Sequence, residues 1–217
     1  NPYTMKHLLL LTALIAGTAP LCAQSTVIHQ FKFSVAEELR TSQKVEDKSR
    51  NVLNGFSTTV ALSPEQVDSI RTWAVRFAST ELGEPVRICE TRNMVHPYPG
   101  SFEAGLLGGL PLNTFKMALK FCEGATKFVE FNCEITGGGT TTVGEWSSVK
   151  PRIHLRMQLF DRAKNSQKDI EVTLKDFPRL HGRVSQRGSV ETKRSQALSA
   201  EEIVAMFQEA LEALVAR

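Results

Sequence analysis

KFVEFNCEITGGGTTTVGEWSSVKPRIHLRMQLFDRAKNSQKDIEVTLKDF, residues 127–177, carries the strongest period-two pattern in the chain. Successive side chains leave a strand on opposite faces, so a half-buried sheet demands this alternation. Val129, Phe131, Cys133 and Ile135 point one way, and Phe128, Glu130, Asn132 and Glu134 the other. Ile153, Leu155, Met157 and Leu159 alternate with Arg152, His154, Arg156 and Gln158, and Ile170, Val172 and Leu174 with Glu171, Thr173 and Lys175. The glycine-rich residues 137–144 and the polar residues 161–168 separate the three runs. The pattern predicts an antiparallel three-stranded meander rather than strands joined by helical crossovers.

One face of that meander is apolar and needs a cover. The C-terminal segment supplies one: Ser199 with Glu202 makes a capping box, and Ile203, Met206, Phe207, Ala210, Leu211, Leu214 and Val215 form an apolar stripe. A second helix is predicted from Ser63, Pro64 and Gln66, with Val67, Ile70, Ala74, Phe77 and Ala78 on one face, Trp73 at its border and an end near Gly83. Asn113 is placed to cap a short third helix that turns Phe115, Ala118, Leu119 and Cys122 inward and ends at Gly124.

Residues 26–35 read as a first strand with Val27, His29, Phe31, Phe33 and Val35 on one side, residues 52–62 as a second, interrupted by Gly55, and residues 85–91 as a third. Residues 92–112, rich in glycine and proline, read as a long loop, and residues 178–196 as a polar, basic connector. The expected class is α+β, with a mainly antiparallel sheet and helices packed on one face.

Met5 opens a secretory leader: Lys6 and His7 are basic, residues 8–16 apolar, and residues 17–23 small at the exit. Residues 1–4 lie upstream of it. Cleavage after Ala23 leaves a single α+β domain over residues 24–217, expected to be periplasmic or secreted. The alternative is lipidation of Cys22 with outer-membrane association, although Leu21 stands where such signals place a small residue.

Lys and Arg number 26 against 23 Asp and Glu, a net charge of +3, which gives no reason to expect nucleic acid as a partner. Cys89, Cys122 and Cys133 remain after cleavage, so one internal disulfide at most can form, with its pairing left open. Phosphate-loop, zinc-protease, C-x-x-C, nucleophile-elbow and calcium-loop motifs are all missing from the sequence. His29, His96, His154 and His181 are scattered relative to the cysteines at no ligand spacing, so no cofactor, metal or catalytic residue is expected.

Two groups of residues are candidate sites. Trp146 and Val143 stand among glycines and threonines where a solvated turn carries polar residues. Folding back of Trp146 onto the sheet edge is the commoner outcome, and an exposed anchor for a partner is the alternative. Arg152, His154 and Arg156 form a candidate anion patch, for which ordinary cross-strand pairing, with Glu130 and Glu134 as partners, is the commoner outcome.

FVEFNCEITGGG followed by IHLRMQLFDRAKNSQKDIEVTL resembles a stretch of curli-secretion-type and penicillin-binding-protein-activator-type lipoproteins. There a strand and glycine-containing turn lead to a long strand ending in Leu-x-Asp, matched here by Leu159 and Asp161. The resemblance implies a periplasmic domain that assembles or activates other envelope proteins without catalysis of its own. The expected function is therefore a non-enzymatic envelope accessory protein acting through an envelope protein or self-association. The alternative is a small periplasmic hydrolase or ligand-binding protein with a pocket under residues 92–112.

Overall fold

A computed structural model describes residues 26–40, 56–58, 60, 62–89, 114–143, 146–183, 185–187, 189–191 and 197–216. In chain order the elements are β1 (Thr26–Val35), a 3-10 turn (Glu37–Leu39), β2 (Phe56–Thr58), α1 (Pro64–Leu82), β3 (Val86–Ile88), α2 (Thr114–Phe121), β4 (Lys127–Val143), β5 (Trp146–Asp161), β6 (Ser166–Leu174), β7 (Leu180–Arg183), β8 (Ser185–Arg187), β9 (Ser189–Glu191) and α3 (Ala200–Val215). The main sheet runs β2-β1-β4-β5-β6, with β3 also on β1 and β7 also on β5, while β8 and β9 form a separate hairpin. The fold is α+β with a mixed sheet. The β4-β5-β6 meander is antiparallel as expected, whereas β1 pairs in parallel with β2, β3 and β4. The helices between β1 and β4 provide the crossover that a parallel pair requires.

Both capping boxes form. Ser63 Oγ accepts from Gln66 N and Gln66 Oε1 accepts from Ser63 N, and Ser199 and Glu202 repeat the exchange. Gly83 ends α1 at φ 65°, a left-handed conformation that a residue with a Cβ adopts only at a cost. Helices α1 and α3 cover one face of the sheet, where Phe207 is fully buried against Phe31 and Phe33. Phe31 in turn stacks on Phe131 at 5.4 Å. Burying a side chain of that size stabilises the fold by about 1.5–3 kcal/mol.

The helices do not all lie on that face. A second, smaller core forms on the opposite side, where α2 lays Phe115, Ala118 and Cys122 over Val27, Phe128 and Phe160. A Cys89–Cys122 disulfide, with a Cα–Cα distance of 5.8 Å, ties this helix to the segment after β3. Cys133 is the free cysteine among the described residues and is buried on the α1/α3 side.

Period-two reading fails wherever a strand gains a residue. The β1–β4 register shifts between Ile28 and Gln30, so Val27 faces the smaller core while Ile28, Phe31, Phe33 and Val35 face the larger one. Residues 137–143 are not a separator but the continuation of β4. Glycines carry no side-chain pattern to reveal a strand, yet their backbones pair normally. The connector at 178–196 contains β7, β8 and β9, and Val215 is exposed rather than part of the α3 stripe. Among the described residues, no helix is long and apolar enough to cross a membrane. The leader, the 92–112 loop, Asn113 and His96 lie outside the described residues.

Candidate functional site

Strands β4 and β5 pair from Lys127↔Asp161 to Val143↔Trp146, forming a ribbon that runs on past the end of β1. β1 accompanies β4 only as far as Val35↔Ile135. There Ala36 N donates to Ile135 O at 2.8 Å, and Gly137 N donates to the Glu38 carboxylate at 3.2 Å. Beyond this point no described strand lies on the β1 side of β4, while β7 supports the other side of the ribbon by pairing with Trp146 through Val149 of β5. The β4–β5 register shifts between Gly138 and Thr140, and Gly139 takes φ 68° within the shift. Such a bulge adds one residue to one strand and reverses the sides its later residues occupy.

The bulge sets the character of the ribbon's end. On β5 the odd-numbered residues Ser147, Val149, Pro151 and Ile153 are buried, which leaves Trp146, Ser148, Lys150, Arg152 and His154 on the opposite face. Val143, the direct cross-strand partner of Trp146, shares that face. Val143 is 72% exposed and Trp146 63%, so Trp146 is held out from the ribbon instead of being folded into a core.

Arg152, His154 and Arg156 follow one another along this polar face, and the structure divides them. Arg156 Nε donates to Asp169 Oδ1 at 2.8 Å, its Nη2 donates to Asp169 Oδ2, and Glu171 lies 3.9 Å away. The Arg156 hydrogen bond holds the Asp169 carboxyl below the usual carboxylate range. His154 Nδ1 sits 3.0 Å from Thr173 Oγ1, and its Nε2 3.7 Å from Glu171. The acidic partners thus come from β6, whose register sets Thr173 beside His154 and Glu171 beside Arg156. They are not the expected Glu130 and Glu134. Arg152 alone of the three makes no hydrogen bond or ion pair with a described residue. Its guanidinium lies across β4, where a Cβ added at Gly138 would come within 2.6 Å of Nε and 2.7 Å of Nη2.

Sequence reasoning missed a second constellation. The extra residue of β1 aims His29 into the smaller core, edge-on to Phe115 at 5.4 Å and Phe128 at 6.0 Å. Its Nε2 lies 3.1 Å from Glu130 Oε1, yet neither ring nitrogen makes a well-directed hydrogen bond. Burial pushes the Glu130 carboxyl up, but His29, with Lys164 and Lys32 nearby, outweighs it and leaves the pKa below its ordinary value. Simple alternation groups His29 with Phe31 and Phe33, so the sequence gave no signal of this pairing. Asp161, part of the Leu-x-Asp match, organises the β5–β6 turn by accepting from Ala163 N and Asn165 N, both at 2.8 Å. Among the described residues, no cluster of histidine, cysteine or acidic side chains is arranged to hold a metal ion.

No family model matches this chain. No curated protein matches it either. Similar solved structures include a putative neuraminyllactose-binding hemagglutinin homolog from Helicobacter pylori, at 7% identity over 88% of this chain and 78% of that one, with a TM-score of 0.35. Lipoprotein GNA1162 from Neisseria meningitidis is similar at 12% identity over 88% and 96% of the two chains, with a TM-score of 0.28. The hypothetical protein CT253 from Chlamydia trachomatis is similar at 17% identity over 89% and 95%, with a TM-score of 0.31. At these scores the likenesses carry no argument about what the chain does.

Proposed function

We propose that this chain is an exported, non-enzymatic protein of the cell envelope that works by binding a protein partner through the end of the β4–β5 ribbon. The observation that carries the reading is the exposed Val143–Trp146 pair, fixed on a ribbon supported by β7. Tryptophan is enriched among residues that dominate binding energy, because one rigid side chain removes a large area from water at small entropic cost. The leader at residues 5–23 supports export.

Capture from an envelope extract by wild type and by Trp146→Ala, followed by mass spectrometry, tests this. The expected result is loss of specific partners on Trp146→Ala with a melting temperature almost unchanged, since an exposed side chain contributes within about 0.5 kcal/mol to stability. Identical captured sets from the two proteins would overturn the reading. Turnover in a broad hydrolase screen of the mature domain, abolished by a single Cys or His substitution, would replace it with an enzyme.

A further inference from the structure

We propose that the outer edge of β4, over residues 138–143, docks an extended segment of a partner protein as an added strand, with an acidic side chain opposite Arg152 and an apolar one beside Val143 and Trp146. This rests on the reading of the ribbon's end as a protein-binding surface, and it specifies the chemistry of what binds.

The backbone makes the first part of the case. Ile135 and Gly137 turn their peptide groups away from β5, because one accepts from Ala36 and the other donates to Glu38. The extra residue at Gly139 shifts this phase by one, so Thr140 and Thr142 turn theirs away from β5. No described strand receives them. A strand edge left in this state is a template for another chain, and proteins ordinarily blunt such edges with charge or proline. Residues 136–143, TGGGTTTV, contain neither. Addition of a strand by backbone hydrogen bonding, with side chains read at alternate positions, is an established mode of peptide recognition.

The side chains supply the selectivity. Arg152 reaches over Gly138 on the polar face without a hydrogen bond or ion pair to any described residue, and Val143 and Trp146 stand further along the same face. An added strand presents alternate residues to that face, so its acidic and apolar side chains must be separated by an even number of positions. Glu38 does not compete for the acid. It lies on the other side of the edge, where a Cβ at Gly137 would meet both its carboxylate and Val149 of the buried face.

Selection of a display library of random linear peptides on the intact mature chain tests the proposal. Enriched sequences are expected to be β-branched, with an acid and an apolar residue an even number of positions apart. A synthesised winner should lose about tenfold or more in affinity on Arg152→Glu, and regain it when its acid is changed to lysine. Thr142→Pro, which deletes an outward N–H and none that faces β5, should abolish binding while the protein keeps its cooperative melt. The charge-reversal pair decides the matter should Thr142→Pro fail to fold. Absence of enrichment, preference for basic peptides, or binding indifferent to both variants would overturn the proposal. So would a dimer that Thr142→Pro dissociates, since a second copy would then occupy the edge. If Trp146→Ala abolishes partner capture while both edge variants retain it, the ribbon-end reading stands and the edge proposal alone falls.

Discussion

His29 Nε2 lies 3.1 Å from Glu130 Oε1, and the imidazole is wedged between Phe115 and Phe128 where β1 carries one residue more than β4. Removing one partner of a buried pair costs more than replacing both by apolar groups of similar shape. Glu130→Ala should therefore destabilise the domain by about 1–3 kcal/mol. His29→Phe combined with Glu130→Leu, which removes both polar groups, should be closer to neutral. Urea titration of the two variants checks the order, and a reversed ranking would mean that the apolar pair does not fit the smaller core.

The Cys89–Cys122 bridge closes a loop with a sequence separation of 33 and holds α2 on the smaller core. A link of this length is worth about 2–4 kcal/mol. Reductant should lower the melting temperature of wild type and leave a Cys89→Ser/Cys122→Ser variant unmoved. Equal melting of wild type with and without reductant would show that packing of Phe115 alone retains the helix.

Glu84, just before β3, accepts from Thr26 on β1 and from Lys127 on β4, whose Nζ lies 2.9 Å from Oε1 and 3.1 Å from Oε2. The Thr26 hydrogen bond first, and then Lys127, hold its carboxyl below the ordinary 4.5. A depressed folded-state pKa means that the stabilisation is complete above 4.5 and disappears as the pH falls through the folded value. Glu84→Gln should cost about 1–2 kcal/mol near neutrality, allowing for partial exposure, and the two proteins should converge in acid. Melting curves across pH read this directly, and a gap that persists undiminished in acid would point to packing instead.

Helix α3 is structural. Phe207→Ala should destabilise by about 3–5 kcal/mol, and truncation before Ser199 should leave Ile28, Phe31, Phe33 and Phe131 under an incomplete cover. Such an apolar face drives aggregation in a monomer. A soluble, cooperatively melting protein without residues 199–217 would show that the helix is dispensable to the domain.

The parts of this fold that burial dictates were legible from sequence. Val129 to Ile135 and Ile153 to Leu159 announce their face at every second residue, and Ser63 and Ser199 announce where helices begin. The positions where one residue is added were not legible. Nothing in TVIHQF marks a bulge, and the glycines of TGGGTTTV permit one without fixing its position, yet one bulge buries His29 and the other brings Val143 onto the face of Trp146. Partner choice was likewise hidden: Arg156 has acids on both neighbouring strands in sequence terms, and the register with β6 sets Glu171 directly opposite while its hydrogen bonds go to the diagonal Asp169. Trp146 and Arg152 were identifiable as candidates, but their relation to a strand edge that no described strand pairs depends on where β1 stops.

The cysteines lie on opposite sides of a wall. Cys133 is buried under α1 and α3, with its thiol pushed well above the ordinary value by burial, while Cys89 and Cys122 are joined on the α2 side. Exchange needs a thiolate to approach a disulfide sulfur in line, and a sheet paired on both edges of β4 closes that route. In an oxidising compartment the wrong bridges to Cys133 can form only before β4 is enclosed between β1 and β5. Correct oxidation is therefore a matter of order: a chain that bridges Cys133 before the central strands assemble has to reshuffle that bridge before its sheet can close.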